Sequence, residues 1–378
     1  MNIERLLKDA AADEMREVTR ESLPPLALPA ARRRSMGWWP VPVAAVLTVI
    51  AVVTVTVALR STVRDVDALG AHEGGPPYFL ATQHKGVVGV FDSWTGRKTA
   101  DIEPSAGHYT ALAAAAERRT FFLADEVGTC RTRIDKVTLR RDGSVARRTT
   151  LPGEFSAQVE EMAATADGRR VAFTDANTEC RGDDVTIVES PSGRHQGWRA
   201  PSGDPPMYVW SLAWEADGHT LLIGTAPPES IARKDDSVSG VLRTLDTRTT
   251  DPTLAATSVA LTIRDDDLDL SSFRPSQDGR TVMAVQKDSF EDVFGSVAVV
   301  ELLLSRDTDR KTSVRILGRM TAQQIAPATP TDFRTTLDAT GKHLLVSSRH
   351  DRAIFRMDEG RFHRLPDMHR TDLGLIAW

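Results

Sequence analysis

From residue 78 onward, short apolar runs alternate with polar turn signals, the pattern of strands joined by tight connections. One phrase returns four times: a polar or small residue, Asp-Gly or its equivalent, a basic or His position, then an apolar run. It reads Ala166-Asp167-Gly168-Arg169-Arg170-Val171-Ala172-Phe173, Ala216-Asp217-Gly218-His219-Thr220-Leu221-Leu222-Ile223, Gln277-Asp278-Gly279-Arg280-Thr281-Val282-Met283 and Ala339-Thr340-Gly341-Lys342-His343-Leu344-Leu345-Val346. Asp-Gly between apolar segments marks a hairpin, because a two-residue turn needs positive φ and glycine adopts it without a Cβ penalty. Each phrase is therefore read as the first hairpin of a repeated β unit.

The phrases group the strands into units at 109–151, 159–200, 208–263, 268–320 and 332–366. The first has a degenerate Glu117-Arg118 turn. Two sets of strands are left over, and they complement each other. Residues 373–378 resemble the innermost strand 209–214 but have no hairpin partner after them, while the runs at 78–82, 87–91 and 98–102 have no innermost strand before them. Joined, they make a sixth unit. The expected fold is all-β, a six-bladed β-propeller closed by N- and C-terminal strands over 78–378 and preceded by one transmembrane helix. Such closure leaves little strand edge exposed.

Ahead of the strands the pattern changes. Residues 38–59 form an uncharged apolar stretch, long enough at about 1.5 Å per residue to span a bilayer of about 30 Å. Trp38 and Trp39 suit the interfacial aromatic belt, and Pro40 and Pro42 fall in the first turn. Arg32, Arg33 and Arg34 precede the stretch, whereas Arg60 and Arg64 after it are accompanied by Asp65 and Asp67. The positive-inside rule then places the N-terminus in the cytoplasm and the propeller outside the cell membrane. A cleaved signal peptide is the alternative, disfavoured by the length of the run and by the absence of a small-x-small site after it. Residues 1–37 hold an amphipathic helical pattern (Ile3, Leu6, Leu7, Ala10, Ala11, Val18) followed by a Pro and Arg linker; residues 60–77 read as a polar stalk. The N-terminal pattern suits a cytoplasmic protein partner, and a partly disordered tail that only sets topology is the alternative.

Composition changes this picture little. The chain has 378 residues, 41% hydrophobic and 26% charged, with a formal charge of −5. It is an ordinary folded composition with no concentrated basic surface, so nucleic acid is not an expected partner. The two cysteines say more. Cys130 and Cys180 follow corresponding apolar runs of consecutive units, so they occupy matching loops on the exported side, where a disulfide persists. A bridge is expected, with two free thiols as the alternative.

The repeated Asp-Gly-basic phrase resembles TolB-like and WD-repeat-like propellers over most of 78–378, without the Gly-His and Trp-Asp signatures of true WD repeats. The layout of amphipathic N-terminus, Arg cluster, single span and external propeller also resembles membrane proteins of high-GC actinobacteria. Some of these act beside extracytoplasmic-function sigma factors, which implies a regulatory partner for residues 1–37. The Cys and His pattern of the zinc-binding class of anti-sigma proteins is absent there.

Candidate chemistry is sparse. The chain has no Gly-x-Ser-x-Gly elbow, no HExxH and no P-loop, so no catalytic residues, metal site or cofactor are expected. Asp265, Asp266, Asp267 and Asp269 are dense enough to ligate calcium but fit a solvated loop better. Arg181-Gly182-Asp183 reads as a turn, and His343 and His350 as surface or loop positions. Among the aromatics Trp198, Tyr208, Trp210, Trp214 and Trp378, the pair Trp214 and Trp378 ends innermost strands and reads as core packing between blades, with a binding surface near the central channel as the alternative. The expected function is non-catalytic: a membrane-anchored extracytoplasmic propeller that binds a protein or envelope ligand, with envelope sensing or signalling as its use. An exported hydrolase or lactonase-like enzyme and a structural scaffold are the alternatives.

Overall fold

The computed structural model describes residues 75–378 apart from 84–85, 116–118, 176–179, 181–183, 201–207, 227–239, 250, 264–268, 277, 291–292, 305–312, 322–332, 339, 349–352, 359, 367 and 369–372. The amphipathic segment 1–37, the expected span 38–59 and residues 60–74 of the stalk lie outside the described residues. Among the described residues, no helix is long and apolar enough to cross a membrane.

Strands β1 (Tyr78–Thr82), β2 (Val88–Asp92) and β3 (Lys98–Ile102) open the chain's β region. Blade 1 is β4 (His108–Ala114), β5 (Thr120–Gly128), β6 (Arg131–Leu139) and β7 (Val145–Thr150); blade 2 is β8 (Val159–Ala164), β9 (Arg170–Asp175), β10 (Val185–Glu189) and β11 (His195–Trp198). Blade 3 is β12 (Tyr208–Trp214), β13 (Thr220–Ala226), β14 (Val241–Asp246) and β15 (Ser258–Thr262). Blade 4 is β16 (Asp269–Pro275), β17 (Thr281–Phe290), β18 (Val293–Leu303) and β19 (Val314–Thr321). Blade 5 is β20 (Phe333–Leu337), β21 (Leu344–Ser348), β22 (Ala353–Asp358) and β23 (Arg361–Arg364). The last strand, β24 (Ile376–Ala377), pairs antiparallel with β1, giving a closing blade ordered β24-β1-β2-β3. The first strands touch in the cyclic order β24, β4, β8, β12, β16, β20 and back to β24, so the sheets form a ring of six.

The core is divided among the blade interfaces. Successive side chains of a strand point to opposite faces of its sheet, so each blade presents one set to each neighbour. On β5, Phe121 and Leu123 pack with Leu80 and Val90 of the closing blade, while Phe122 and Ala124 pack with Val171 and Phe173 of blade 2. On β21, Leu344 and Val346 join Val297 and Val299 of blade 4, while Leu345 joins Phe79 and Trp378 of the closing blade. Both faces are dry, and so the second strands read as unbroken apolar runs instead of alternating ones. Burying each such Phe or Leu contributes about 1.5–3 kcal/mol.

The repeated phrase is a hairpin, but not through a two-residue turn. In blade 2 the closing pair is Thr165 N–H to Arg170 O (3.0 Å), and Gly168 N–H donates to Thr165 O (2.9 Å). Four residues therefore lie between the paired ends. Gly168, Gly218, Gly279 and Gly341 adopt φ of 61°, 62°, 65° and 70°, while the aspartates before them are not at positive φ. Their carboxylates instead accept backbone N–H two residues on: Asp167 from Arg169 (3.0 Å), Asp217 from His219 (2.8 Å) and Asp278 from Arg280 (3.0 Å). Asp in this phrase is thus selected for an Asx turn and Gly for the left-handed residue that follows. In blade 5 the Thr340 hydroxyl takes the role of the carboxylate, accepting from Lys342 N–H (3.3 Å).

These turns also receive bonds from the preceding blade. Lys136 Nζ donates to Gly168 O (2.7 Å) and Ser190 Oγ (3.3 Å), and Arg170 donates to Gly218 O and to Thr247 Oγ1 (3.1 Å). The third such clasp closes the ring. Arg356, 1% exposed, bonds Ser93 Oγ (2.8 Å) and Ser93 O (3.2 Å) of the closing blade and pairs with Asp358 (2.8 Å) in its own. Its guanidinium lies over Trp94 (3.5 Å to the ring centroid) and Trp378 (5.0 Å).

Candidate functional site

The site is the central channel: Arg334 stands on the regularly paired β20, but Glu160 and Glu161 sit at one of the interruptions in the first strands. In four of the six, the register against the second strand slips. On β4, Tyr109 pairs with Asp125 and Ala111 with Ala124, so Thr110 is extra. On β8, Val159 pairs with Asp175 and Met162 with Phe173, which sets Glu160 and Glu161 against Thr174 alone. On β12 the extra residue is Trp210, and on β16 Ser272 and Phe273 fall between the paired Ser271 and Arg274. A bulge bends the strand and re-aims a side chain that regular pleating would bury between blades. Ser272 takes φ of 54°, a conformation that costs a non-glycine residue about 1 kcal/mol or more. Its hydroxyl bonds Thr335 O of β20 (3.0 Å).

Of the bulged residues, Thr110, Glu160, Glu161, Trp210 and Ser272 border two adjoining cavities, while Phe273 is buried in the core. An outer vestibule of about 360 Å³ lies at the starts of the first strands and includes His108, Thr110, Gln158, Glu160 and Arg334. An inner chamber of about 190 Å³ includes Glu160, Glu161, Trp210, Ser271, Arg274 and Arg334. Glu160 and Arg334 belong to both. The Thr110 hydroxyl, the Trp210 Nε1 and the Ser271 hydroxyl are buried without hydrogen-bond partners.

The channel's charges are opposed. Glu160 and Glu161 stand on blade 2, Arg334 on blade 5 directly across the ring, and Arg274 on blade 4 beside it. Among the described residues, no side-chain hydrogen bond or ion pair engages Glu160, Glu161 or Arg334, and Arg274 donates only to Phe273 O (3.1 Å). Burial pushes the Glu161 carboxyl up to about 7; Glu160 adds to the rise, while Arg334 and Arg274 oppose it. Burial likewise lowers Arg274, countered by Asp338 and Glu161.

The expected site residues lie elsewhere. Cys130 and Cys180 form a disulfide (Cα–Cα 5.0 Å) joining the β5–β6 turn of blade 1 to the β9–β10 connection of blade 2. Because β5 runs antiparallel to β4, that bridge is on the vestibule face. Trp214 and Trp378 are at the other ends of the first strands. Trp214 donates from Nε1 to Ala163 O (3.1 Å) and carries Arg170 over its ring (5.1 Å). Trp378, 2% exposed, donates to Pro76 O (3.0 Å), so it is packed inside the closing blade and not on a binding surface. His343 is not a surface residue: it is buried, and its Nδ1 is 2.7 Å from Asp358. Trp198 is buried in the core. Asp265–Asp267, the Arg181-Gly182-Asp183 tripeptide and His350 lie outside the described residues, as does the side chain of Asp269. No group of three or more His, Cys, Asp or Glu with metal-site geometry occurs among the described residues.

Sequence reasoning missed Glu160, Glu161, Arg274 and Arg334. Their only signal in the sequence is a charge within a first strand, and Arg356 shows that a charge inside a blade can equally be taken up at a seam between blades.

The ring of four-stranded blades defines a six-bladed β-propeller with a charged central channel. No family model and no curated protein matches the sequence. Among solved structures, the chain is similar to hydrazine synthase of Kuenenia stuttgartiensis (14% identity, 75% of this chain and 74% of that one, TM-score 0.44). It is also similar to the Cps50 (Swd1) β-propeller domain of Myceliophteria thermophila (14% identity, 80% and 86%, TM-score 0.44). The blade count rests on the sheets and their cyclic contacts alone.

Proposed function

We propose that the chain is a membrane-anchored extracytoplasmic propeller that binds a protein or envelope ligand, with the vestibule face as its binding face. The observation that carries the binding role is the channel, where a rigid ring holds four charged side chains unpaired. Glu160 and Arg334 are open to solvent, whereas Glu161 and Arg274 are partly buried, and a ligand that supplies partners to the buried two gains affinity from the arrangement. The apolar stretch 38–59 and the flanking Arg asymmetry support the anchor and its direction. The Cys130–Cys180 bridge supports export, because disulfides persist in oxidising compartments. Residues 1–37 then face the cytoplasm as a docking segment, for a sigma factor in the sharpest form of the reading.

Crosslinking on intact cells, followed by purification of the full chain, tests the binding role; recovery of one stoichiometric external partner is expected. Absence of any partner, or digestion of the propeller only after the membrane is opened, overturns it. Pull-down with residues 1–37 tests the inward link, which fails if no cytoplasmic protein is retained.

One observation favours a second reading, an enzyme. Glu161 holds its proton near neutrality inside a cleft, a property suited to general acid or base chemistry. Screening the chain against ester, glycoside, peptide and lactone substrates decides between the two, with Glu161→Gln as the control.

A further inference from the structure

Two carboxylates on one wall and two guanidiniums across from them border one chamber and act on each other through space, yet among the described residues they form no ion pair. A cation alone satisfies only the blade 2 wall. An anion alone satisfies only the walls of blades 4 and 5. Either single charge leaves the opposite pair as it was, whereas a molecule carrying both signs completes both walls at once.

We propose that the channel binds a compact zwitterion, whose ammonium group contacts Glu160 and Glu161 and whose carboxylate contacts Arg274 and Arg334. This inference rests on the reading of the vestibule face as a binding face. Charge-assisted hydrogen bonds are the strong ones, and a guanidinium fork matches a carboxylate's two oxygens. The chamber, at about 190 Å³, is below the range that holds drug-sized ligands, so the frame between the two charges is short. The wider vestibule gives access, and Glu160 and Arg334 extend the same opposed pair into it.

Binding is linked to protons. The groups facing Glu161 are Glu160 on its own strand, Arg274 on β16, Lys287 on β17 and Arg334 on β20, while β4 and β12 line the chamber with uncharged residues. An ammonium beside Glu161 favours its ionised form, so the complex releases a proton near neutral pH.

The test is calorimetry on the full chain in detergent, with glycine, β-alanine and 4-aminobutyrate as zwitterions and butylamine and butyrate as single-charge controls. At least one zwitterion should bind about tenfold or more tighter than either control. At pH 7, titration in two buffers of different ionisation enthalpy should show net proton release. Glu161→Gln should abolish that release, and Arg334→Met should remove the preference over butylamine. Equal binding of zwitterion and control, proton uptake, or no heat with any probe overturns the inference. Because those comparisons use the unmodified protein, they stand even if a variant fails to fold. Recovery of an external protein partner together with silent calorimetry sinks the zwitterion and leaves the binding-face reading intact.

Discussion

Replacing Arg356 with Ala removes the group that ties blade 5 to the closing blade. The guanidinium is 1% exposed, paired with Asp358 at 2.8 Å, bonded to Ser93 and covered by Trp94 and Trp378. Breaking a buried pair by deleting one partner costs about 3–5 kcal/mol, because the remaining groups stay buried without it. His343 Nδ1, 2.7 Å from Asp358, moderates the loss toward the lower end. The lost cation-π contacts, about 1–2 kcal/mol when desolvated, act the other way. A net loss of about 4 kcal/mol, at about 2 °C per kcal/mol for a large domain, lowers the melting temperature by about 8 °C. Thermal melting of the full chain in detergent, followed by tryptophan fluorescence, reads the shift. Amide exchange locates it: protection at β24 and β1 should fall before protection at β9 and β10, because the clasp acts at the seam. Arg356→Lys should fall between the two, keeping the charge and losing the planar fork. A melting change of less than about 2 °C for Arg356→Ala, or uniform loss of protection, would show that the pairing of β24 with β1 closes the ring without this clasp.

Cys130→Ser opens a crosslink of sequence separation 50 and should cost about 4 kcal/mol in the chain-entropy model; an unchanged urea midpoint would refute that. Glu161 keeps its proton up to about 7 in the fold but only to about 4.5 when unfolded, so the folded form binds the extra proton between those values. Stability therefore declines as pH rises from 4.5 to 7, and Glu161→Gln should exceed the parent by up to about 3 kcal/mol at pH 8 while matching it at pH 4. A pH-independent difference between the two melting curves counts against this. Thr247→Ala should cost about 1 kcal/mol, since its hydroxyl accepts from Arg170 and donates to His219 O (2.8 Å); no change in the denaturation midpoint would mean that water replaces it.

Local patterning made the scaffold legible. A strand buried on both faces favours an apolar run, and a tight connection between two such strands favours Gly, so the runs and turn phrases locate the blades from sequence. The same reasoning matched Cys130 with Cys180, because equivalent loops of neighbouring repeats are brought together by the repeat itself. It failed at the turn geometry, where the Asp carboxylate and not its backbone does the work. It also failed at His343, read as a surface or loop position but buried beside Asp358 and Trp378.

The sequence by itself determined the repeat, the number of blades and the closure by both ends, and it matched the loops of the two cysteines, all of which follow from period, turn chemistry and spacing. Only the tertiary structure decided the channel. A bulge depends on the register of one strand against the next, and register is set by packing between blades, not by the residues of the strand alone. That is why Glu160 and Glu161 read as part of an ordinary strand in sequence, yet face Arg334 across the ring once six blades close around them.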